Sequence, residues 1–136
     1  MSTEPNKATA HFFIEAYNSG NLTTADEIFA ADFVSHTLTP GTPHGWAGFK
    51  QALATFRTAF PDSQFTAEDT ITEGNKVVTR VTFHGTHHGN LGDFNPTGKR
   101  VTMTGIEIYR IADSKIAEHW GNGDDLGMMQ QLGEIP

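Results

Sequence analysis

The strongest constraint on the fold is a change of hydrophobic period at Pro61. Before this residue, the segments 8–18 and 46–59 repeat apolar side chains at the spacing of one buried helix face. Proline ends the second segment because it has no N–H group to continue helical hydrogen bonding. After it, apolar and polar residues alternate in four segments separated by turn signals: 64–72, 76–84, 99–111 and 115–122. Helices followed by such strands predict an α+β fold with a mostly antiparallel sheet.

Size and charge narrow the class of protein. The 136 residues fit a single domain, 1–136, whose core needs no disulfide, and the chain contains no cysteine. The net charge of -7 disfavours nucleic acid and anionic membranes as partners, because both reward clustered Lys and Arg. Residues 1–7 lack the apolar run of a signal peptide and no segment is long enough to span a bilayer. We therefore expect a cytoplasmic protein.

Several strands carry apolar residues on both faces, for example Val77 with Val78 and Ile106 with Tyr109. One face of the sheet can pack on the helices. The other face can line a cavity or form a dimer interface, because apolar surface of this kind is seldom left in water.

The last strand and the residues after it hold the first candidate for chemistry. Alternation places Ile116, Glu118 and Trp120 on one face, with His119 on the other unless the strand bulges. If the extended conformation continues, Asp124 lies on the Trp120 face, where the indole lowers the local polarity. A carboxyl group in such a dry site holds its proton more tightly, which suits a general base or acid. The alternative is that Asp124 is a solvated residue that caps a helix.

Short motifs recur along the chain in a fixed order. They are Phe33-Val34-Ser35-His36, Ala59-Phe60-Pro61-Asp62, Arg80 followed by Gly85-Thr86-His87, Gly92 with Pro96-Thr97-Gly98-Lys99, the segment 110–116, Glu118-His119-Trp120 with Asp124, Leu126-Gly127, and Gln131-Leu132-Gly133. In this order and spacing they resemble the SnoaL-like polyketide cyclases of the nuclear transport factor 2-like superfamily. The resemblance implies a cone-shaped barrel of a curved sheet wrapped around N-terminal helices, and a homodimer.

The resemblance also implies an activity, the aldol ring closure of a small hydrophobic polyketide-type carbonyl substrate without metal or organic cofactor. The family's acid/base aspartate falls on Asp124, which would take a proton from a carbon beside a carbonyl group and then protonate the new alkoxide. Asp125 is an additional neighbour. Gly121, Asn122 and Gly123 stand where the family commonly has larger apolar residues, so we expect a pocket of different shape.

Six further residues are candidates for substrate binding: His36, His87, Trp120, His119, Tyr17 and Phe56. His36 would hydrogen-bond a substrate oxygen or orient Asp124, unless it is a structural histidine. His87 would line the pocket or pin its loop. A buried Tyr17 hydroxyl would need a partner, and the aromatic stripes that include Phe56 are chiefly core, with some rings facing the cavity.

Two other functions stay open. An isomerase, hydratase or epoxide hydrolase would use the same scaffold, and the last would need an Asp-Arg-Asp set drawn from Arg80 or Arg110 with Asp69 and Asp124. A non-catalytic small-molecule-binding module would instead leave Asp124 in bulk water.

A metal site at His84, His87 and His88 is disfavoured, because glycines interrupt the run and no carboxylate lies at ligand spacing. Glu118 and Arg80 are expected to form an ion pair across the sheet, with Arg110 as the alternative partner.

Overall fold

The helices and strands follow the order that the hydrophobic pattern predicts. A computed structural model describes residues 3–136, so the first two residues of the predicted domain lie outside the description. The first half holds helix α1 (Thr3–Ser19), a 3-10 helix (Leu22–Ile28), strand β1 (Phe29–Ser35) and helix α2 (Gly45–Ala59). The second half holds strands β2 (Gln64–Glu73), β3 (Lys76–Thr86), β4 (Arg100–Ala112) and β5 (Lys115–Gly123), then helix α3 (Asp125–Leu132). The alternation pattern does not predict α3.

The five strands form one mixed sheet in the order β1-β5-β4-β3-β2. Strand β1 runs parallel to β5, and the other neighbours are antiparallel. Helix α1 contacts β2, β3 and β5, and α2 contacts β1, so the helices cover one face of the sheet. This is the predicted α+β fold, with a curved cone that stays open because β1 and β2 do not pair. No helix in the described part of the chain has the length and hydropathy needed to cross a membrane; the cytoplasmic location stays a prediction.

An aromatic core lies between the helices and the sheet. The ring of Phe13 in α1 contacts Phe29, Phe49 and Tyr109 at centroid distances of 5.2, 5.9 and 5.9 Å. Burying a side chain of this size stabilises the fold by about 1.5–3 kcal/mol relative to leaving it exposed. The prediction that the aromatic stripes are chiefly core is confirmed for Phe13, Phe49 and Phe60, whereas Phe12 of α1 is 43% exposed.

Tight turns set the register of the sheet. Gly74, with φ 59°, lies between β2 and β3, and Asp113 and Ser114, with φ 51° and 65°, join β4 to β5. A two-residue turn with both φ angles positive matches the twist of an antiparallel pair. The register that follows pairs Glu107 of β4 with Gly121 of β5.

A β-bulge in β2 changes which of its side chains face the helices. The register shifts between Ala67 and Asp69, so alternation is broken there. Unbroken alternation over 64–72 predicts that Phe65, Ala67, Asp69 and Ile71 share one face. The bulge makes this prediction wrong for Ile71, which is 65% exposed on the opposite, outer face.

A second register shift lies between Arg110 and Ile111, where β4 pairs with β5. Past it, Ile116 pairs with Ile111 and is fully buried in the core. The prediction that Ile116 shares a face with Trp120 is wrong for this reason. His119 remains on the helix-facing side, opposite to Trp120, as alternation predicts.

Candidate active site

A cavity of about 240 Å³ lies on the helix-facing side of the sheet. Its apolar wall comes from Phe49, Leu53, Phe65 and Val81, and its polar wall includes Glu107, His119 and Asp125. A deeper void of about 50 Å³ shares the apolar wall and Glu107 with it and ends at Tyr17 and Tyr109. The two spaces therefore form one passage with polar groups on one side.

Glu107 and His119 form a hydrogen-bonded pair in this wall. They project from neighbouring strands, β4 and β5, and the distance from His119 Nε2 to Glu107 Oε1 is 2.8 Å. The imidazole is 2% exposed and the carboxylate side chain 27% exposed. A titratable pair held in a cleft in this way is a candidate for proton transfer.

The imidazole of His119 is held at both nitrogens. Its Nδ1 lies 2.9 Å from Ser35 Oγ, and its ring packs against those of Phe49 and Tyr109 at 4.9 and 5.3 Å. When Glu107 is ionised, Nε2–H donates to the carboxylate and Nδ1 accepts from the Ser35 hydroxyl. The pair therefore has a fixed orientation toward the cavity.

Tyr109 lies beside the pair and stays a neutral phenol. Burial raises the pKa of its hydroxyl well above the ordinary value, and the nearby Glu107 carboxylate raises that pKa further. Tyr109 can therefore shape the deep end of the passage but does not act as a base near neutral pH.

Asp124 lies outside the cavity. It is the N-cap of α3, and its exposed carboxylate accepts the Gly127 N–H at 2.9 Å. It does share a face with Trp120, as predicted, but that face is the outer one, where both line an open groove of about 460 Å³. The predicted dry chamber around Asp124 is wrong, because the chain turns into α3 here and directs the carboxylate to its cap. The catalytic role of Asp124 stays a prediction.

The next residue, Asp125, reaches the cavity instead. It opens α3 and lines the cavity mouth together with Thr37. A carboxylate in the first turn of a helix is favoured by the helix dipole. Of the two adjacent aspartates, one thus caps the helix and the other faces the candidate site.

His36 and Trp120 lie on the outer face rather than in the cavity. Their rings stack at 5.1 Å, and His36 Nε2 lies 2.6 Å from Glu118 Oε2. Arg110 Nε donates to the other Glu118 oxygen at 2.9 Å. The hydrogen bond from Arg110, followed by that from His36, holds the pKa of Glu118 below its ordinary value. The structure thus brings neither His36 nor Trp120 to the cavity.

The predicted ion pair between Glu118 and Arg80 is wrong. Arg80 pairs with Asp69 at 2.8 Å on the outer face, and both side chains are more than half exposed. Arg110 is the partner of Glu118, as the alternative prediction had it. In the described part of the chain no arginine lines the cavity. The three residues of the Asp-Arg-Asp alternative lie at the outer groove instead, where Arg80, paired with Asp69, and Asp124 line the same space. That alternative stays a prediction.

His87 and Phe56 are also placed away from the cavity wall. His87 is buried, its Nδ1 accepts the Thr97 N–H at 3.2 Å, and its ring packs 5.4 Å from that of Phe60. It therefore pins the loop between β3 and β4, which is one of its two predicted roles. Phe56 packs against Phe60 and Phe83, each at 5.1 Å, in a second core cluster.

Tyr17 contributes its ring, not a free hydroxyl. The ring lines the deep void, while the hydroxyl bonds to Ser63 Oγ at 2.7 Å in the buried core. Burial raises the pKa of the hydroxyl, and the hydrogen bond with Ser63 opposes that rise. The expected partner of the buried hydroxyl is therefore Ser63.

Glu107 is a residue of the cavity that is not among the candidates predicted from the sequence. The signal for it is an acidic residue at a helix-facing position of β4, in alternation with Tyr109 and Ile111, both of which are buried. A carboxylate in such a row needs a partner, and His119 provides it.

Comparison with known proteins agrees with the fold and the resemblance. The family model for the SnoaL-like polyketide cyclase matches residues 7–132. Aklanonic acid methyl ester cyclase DnrD of Streptomyces peucetius is 31% identical over 124 residues, covering 89% of this chain and 86% of the relative. Nogalonic acid methyl ester cyclase of Streptomyces nogalater is 30% identical over 123 residues, covering 89% and 92%. The solved structure of TsrD from Streptomyces laurentii, 27% identical, gives a TM-score of 0.90 with 99% of both chains covered. The chain belongs to the SnoaL-like polyketide cyclase family.

Proposed function

We propose that the protein closes a ring in a polyketide-type substrate by an intramolecular aldol reaction, with Glu107 as the base that transfers the proton and His119 as the residue that orients it. The relatives named as cyclases of aklanonic acid and nogalonic acid methyl esters support a substrate of that class. The observation that carries the proposal is the 2.8 Å contact between His119 Nε2 and Glu107 Oε1 in the wall of a cavity with apolar side chains opposite.

The reaction needs a base that removes a proton from a carbon beside a carbonyl group. Glu107 takes this proton, and the electron pair of the C–H bond moves into an enolate. The enolate carbon attacks a second carbonyl carbon of the same molecule, which forms the new C–C bond and leaves an alkoxide. The alkoxide then takes the proton back from Glu107. No other reactant is consumed, since the proton that is removed is also the one returned.

His119 orients the base. Its Nε2–H group donates to Glu107, and its Nδ1 is held by Ser35, so the carboxylate has a fixed position when substrate arrives. Phe49 and Phe65 keep water from the opposite side of the cavity, and charge interactions are stronger in such surroundings than in water. These two effects supply the positioning and the low polarity that the reaction requires.

Asp124 is the competing base, because the family resemblance implies it. Against it stand its exposure, its position on the outer face and its hydrogen bond to Gly127. We therefore assign Asp124 to the cap of α3 and assign contact with substrate at the cavity mouth to Asp125.

Turnover of aklanonic acid methyl ester by variants tests the proposal. Glu107→Gln keeps the shape of the side chain but removes the base, so we expect turnover to fall at least ~100-fold, the usual cost of a lost general base. Asp124→Asn, which keeps a capping side chain, is expected to stay within about 3-fold of the parent because Asn caps a helix as well as Asp does. Normal turnover in Glu107→Gln would overturn the assignment.

We further propose that two copies of the chain associate through the outer face of the sheet. Ile71, Ile106 and Val34 are 65%, 51% and 48% exposed there, and the apolar groove beside Trp120 is continuous with Ile106. Large apolar side chains grouped in this way favour an interface over contact with water. Light scattering after size exclusion tests this: a dimer mass is expected, and a monomer mass at micromolar concentration would remove the proposal.

A further inference from the structure

We infer that Gly121 is a positioning residue for the reaction: by having no side chain, it leaves open the space in which the Glu107 carboxylate lies against His119. This inference rests on the proposed function, since it concerns the same carboxylate. A residue with no side chain thus determines where the catalytic carboxylate lies.

The geometry behind the inference is a close approach across two strands. Gly121 of β5 is the register partner of Glu107 of β4, and both face the helices. A Cβ atom at position 121 would lie 2.4 Å from Glu107 Oε2 and 2.9 Å from Oε1. Carbon and oxygen atoms that are not bonded do not approach so closely, so any side chain at 121 must displace the carboxylate.

The backbone does not explain this glycine. Gly121 is not among the glycines with a positive φ angle, so its conformation is open to any residue. A glycine inside a strand also weakens the strand, because it has no side chain to pack and more freedom to lose. The absence of a Cβ atom at Gly121 therefore matters because it leaves a space, and the Glu107 carboxylate occupies that space.

Displacement would separate the base from its partner. The carboxylate bonds to His119 through Oε1 while Oε2 lies over Gly121, so a methyl group at 121 pushes both oxygens from the strand. The 2.8 Å contact between Oε1 and Nε2 is then lost, and the imidazole loses the partner that fixes its proton on Nε2.

A matched glycine in the same wall provides the control. Gly123 also lies on β5 and lines the same cavity, and its φ angle is likewise not positive. A Cβ atom there would meet the Met103 Sδ atom at 3.7 Å and Asp125 Oδ1 at 3.8 Å, which are ordinary contacts. Gly121→Ala and Gly123→Ala therefore each add one methyl group to the cavity, but only the first displaces Glu107.

The first measurement is independent of activity. In the parent protein, ¹⁵N NMR should show His119 with its proton on Nε2, held in a hydrogen bond and slow to exchange. We expect this signature to persist in Gly123→Ala and to be lost in Gly121→Ala. An unchanged His119 signature in Gly121→Ala would overturn the inference, whatever the turnover of the variant.

The second measurement is a double-mutant cycle on turnover of aklanonic acid methyl ester. Gly121→Ala should lower kcat at least ~10-fold, a sizeable part of the effect of a lost general base, with a smaller change in KM. In a Glu107→Ala background the same change should cost no more than about 2-fold, because no carboxylate remains to be displaced. An equal loss in both backgrounds would overturn the inference, since Gly121 would then act through the strand itself.

The outcomes separate this inference from the proposed function. Normal turnover in Glu107→Ala would remove Glu107 as the base, while the NMR comparison would still decide whether Gly121 positions it. If Gly121→Ala fails to fold, removing the clash should restore folding in the Glu107→Ala/Gly121→Ala double variant. A double variant that also fails to fold would overturn the inference.

Discussion

The two faces of the sheet carry the same chemical pair in different surroundings. His119 and Glu107 meet at 2.8 Å on the helix-facing side, where the imidazole is 2% exposed. His36 and Glu118 meet at 2.6 Å on the outer face, where the imidazole is 44% exposed and Arg110 also binds the carboxylate. Burial beside a cavity makes the first pair suitable for proton transfer. In the second pair, water screens the charges and the Arg110 guanidinium binds the carboxylate. On this difference we assign proton transfer to the first pair and a structural role to the second.

Among the tests of this comparison between the two pairs, the largest effect is expected from replacing His119. His119→Asn should lower turnover of aklanonic acid methyl ester by about 100-fold, because Glu107 loses the group that orients it. His36→Asn, the matched change on the outer face, should leave turnover within about 3-fold of the parent, since no reacting atom is near it. Steady-state kinetics on both variants checks this. Equal losses in the two would erase the distinction between the faces.

The next effect concerns what covers the outer face. Ile106→Glu places a charge in the exposed apolar surface that we propose as the dimer interface, opposite Arg80 in β3. Even with that partner, burying the charge in an interface costs desolvation that a single ion pair seldom repays. We expect the mass measured by light scattering to fall from dimer to monomer. Thr102→Glu, also on the outward side of β4 but away from Ile71 and Val34, is the control. A dimer that survives Ile106→Glu would place the interface elsewhere.

A smaller effect separates the two roles offered for Asp124. Asp124→Ala removes the cap of α3 and should lower the free energy of unfolding by about 1 kcal/mol, whereas Asp124→Asn should lower it little. Denaturant unfolding of both variants measures this difference. Loss of turnover in Asp124→Asn with unchanged stability would return the catalytic role to the outer face.

The smallest effect is a pH dependence at Glu118. Its folded-state pKa is lowered from 4.5 by the hydrogen bonds from Arg110 and His36. A depressed pKa stabilises the fold above the unfolded value, and this contribution is lost as pH falls through the folded value. The deficit in stability of Glu118→Gln should therefore be present at pH 6 and shrink below pH 4.5. A deficit that grows on acidification would contradict the assigned partners.

The sequence predicts the fold well because the periods of helix and strand are regular over long segments. It misplaces side chains where one extra residue interrupts a strand, as at the bulge before Asp69, since alternation cannot register the interruption. Side chains of the site are likewise misplaced at the end of β5, where the extended conformation stops. Because α3 begins at Asp125, Asp124 caps the helix and Asp125 lines the cavity. A continued strand would have led to the opposite expectation for these two neighbours.

Glu107 shows which part of the site lies beyond pattern analysis. Its helix-facing position follows from alternation with Tyr109, but its pairing with His119 depends on the register of β4 and β5 and on the missing side chain at Gly121. The register and the close approach to Gly121 are long-range features, and they arise only when the turn at Asp113 has set the pairing of the two strands.

Hydrogen exchange into a truncated substrate analogue tests the central claim most directly. An analogue that keeps the acidic carbon but lacks the second carbonyl group cannot close a ring, so deuterium uptake from D₂O reports proton removal alone. The parent protein and Asp124→Asn should both catalyse uptake, and Glu107→Gln should not. Uptake that continues in Glu107→Gln and disappears in Asp124→Asn would contradict the assignment of the base to the helix-facing side of the sheet.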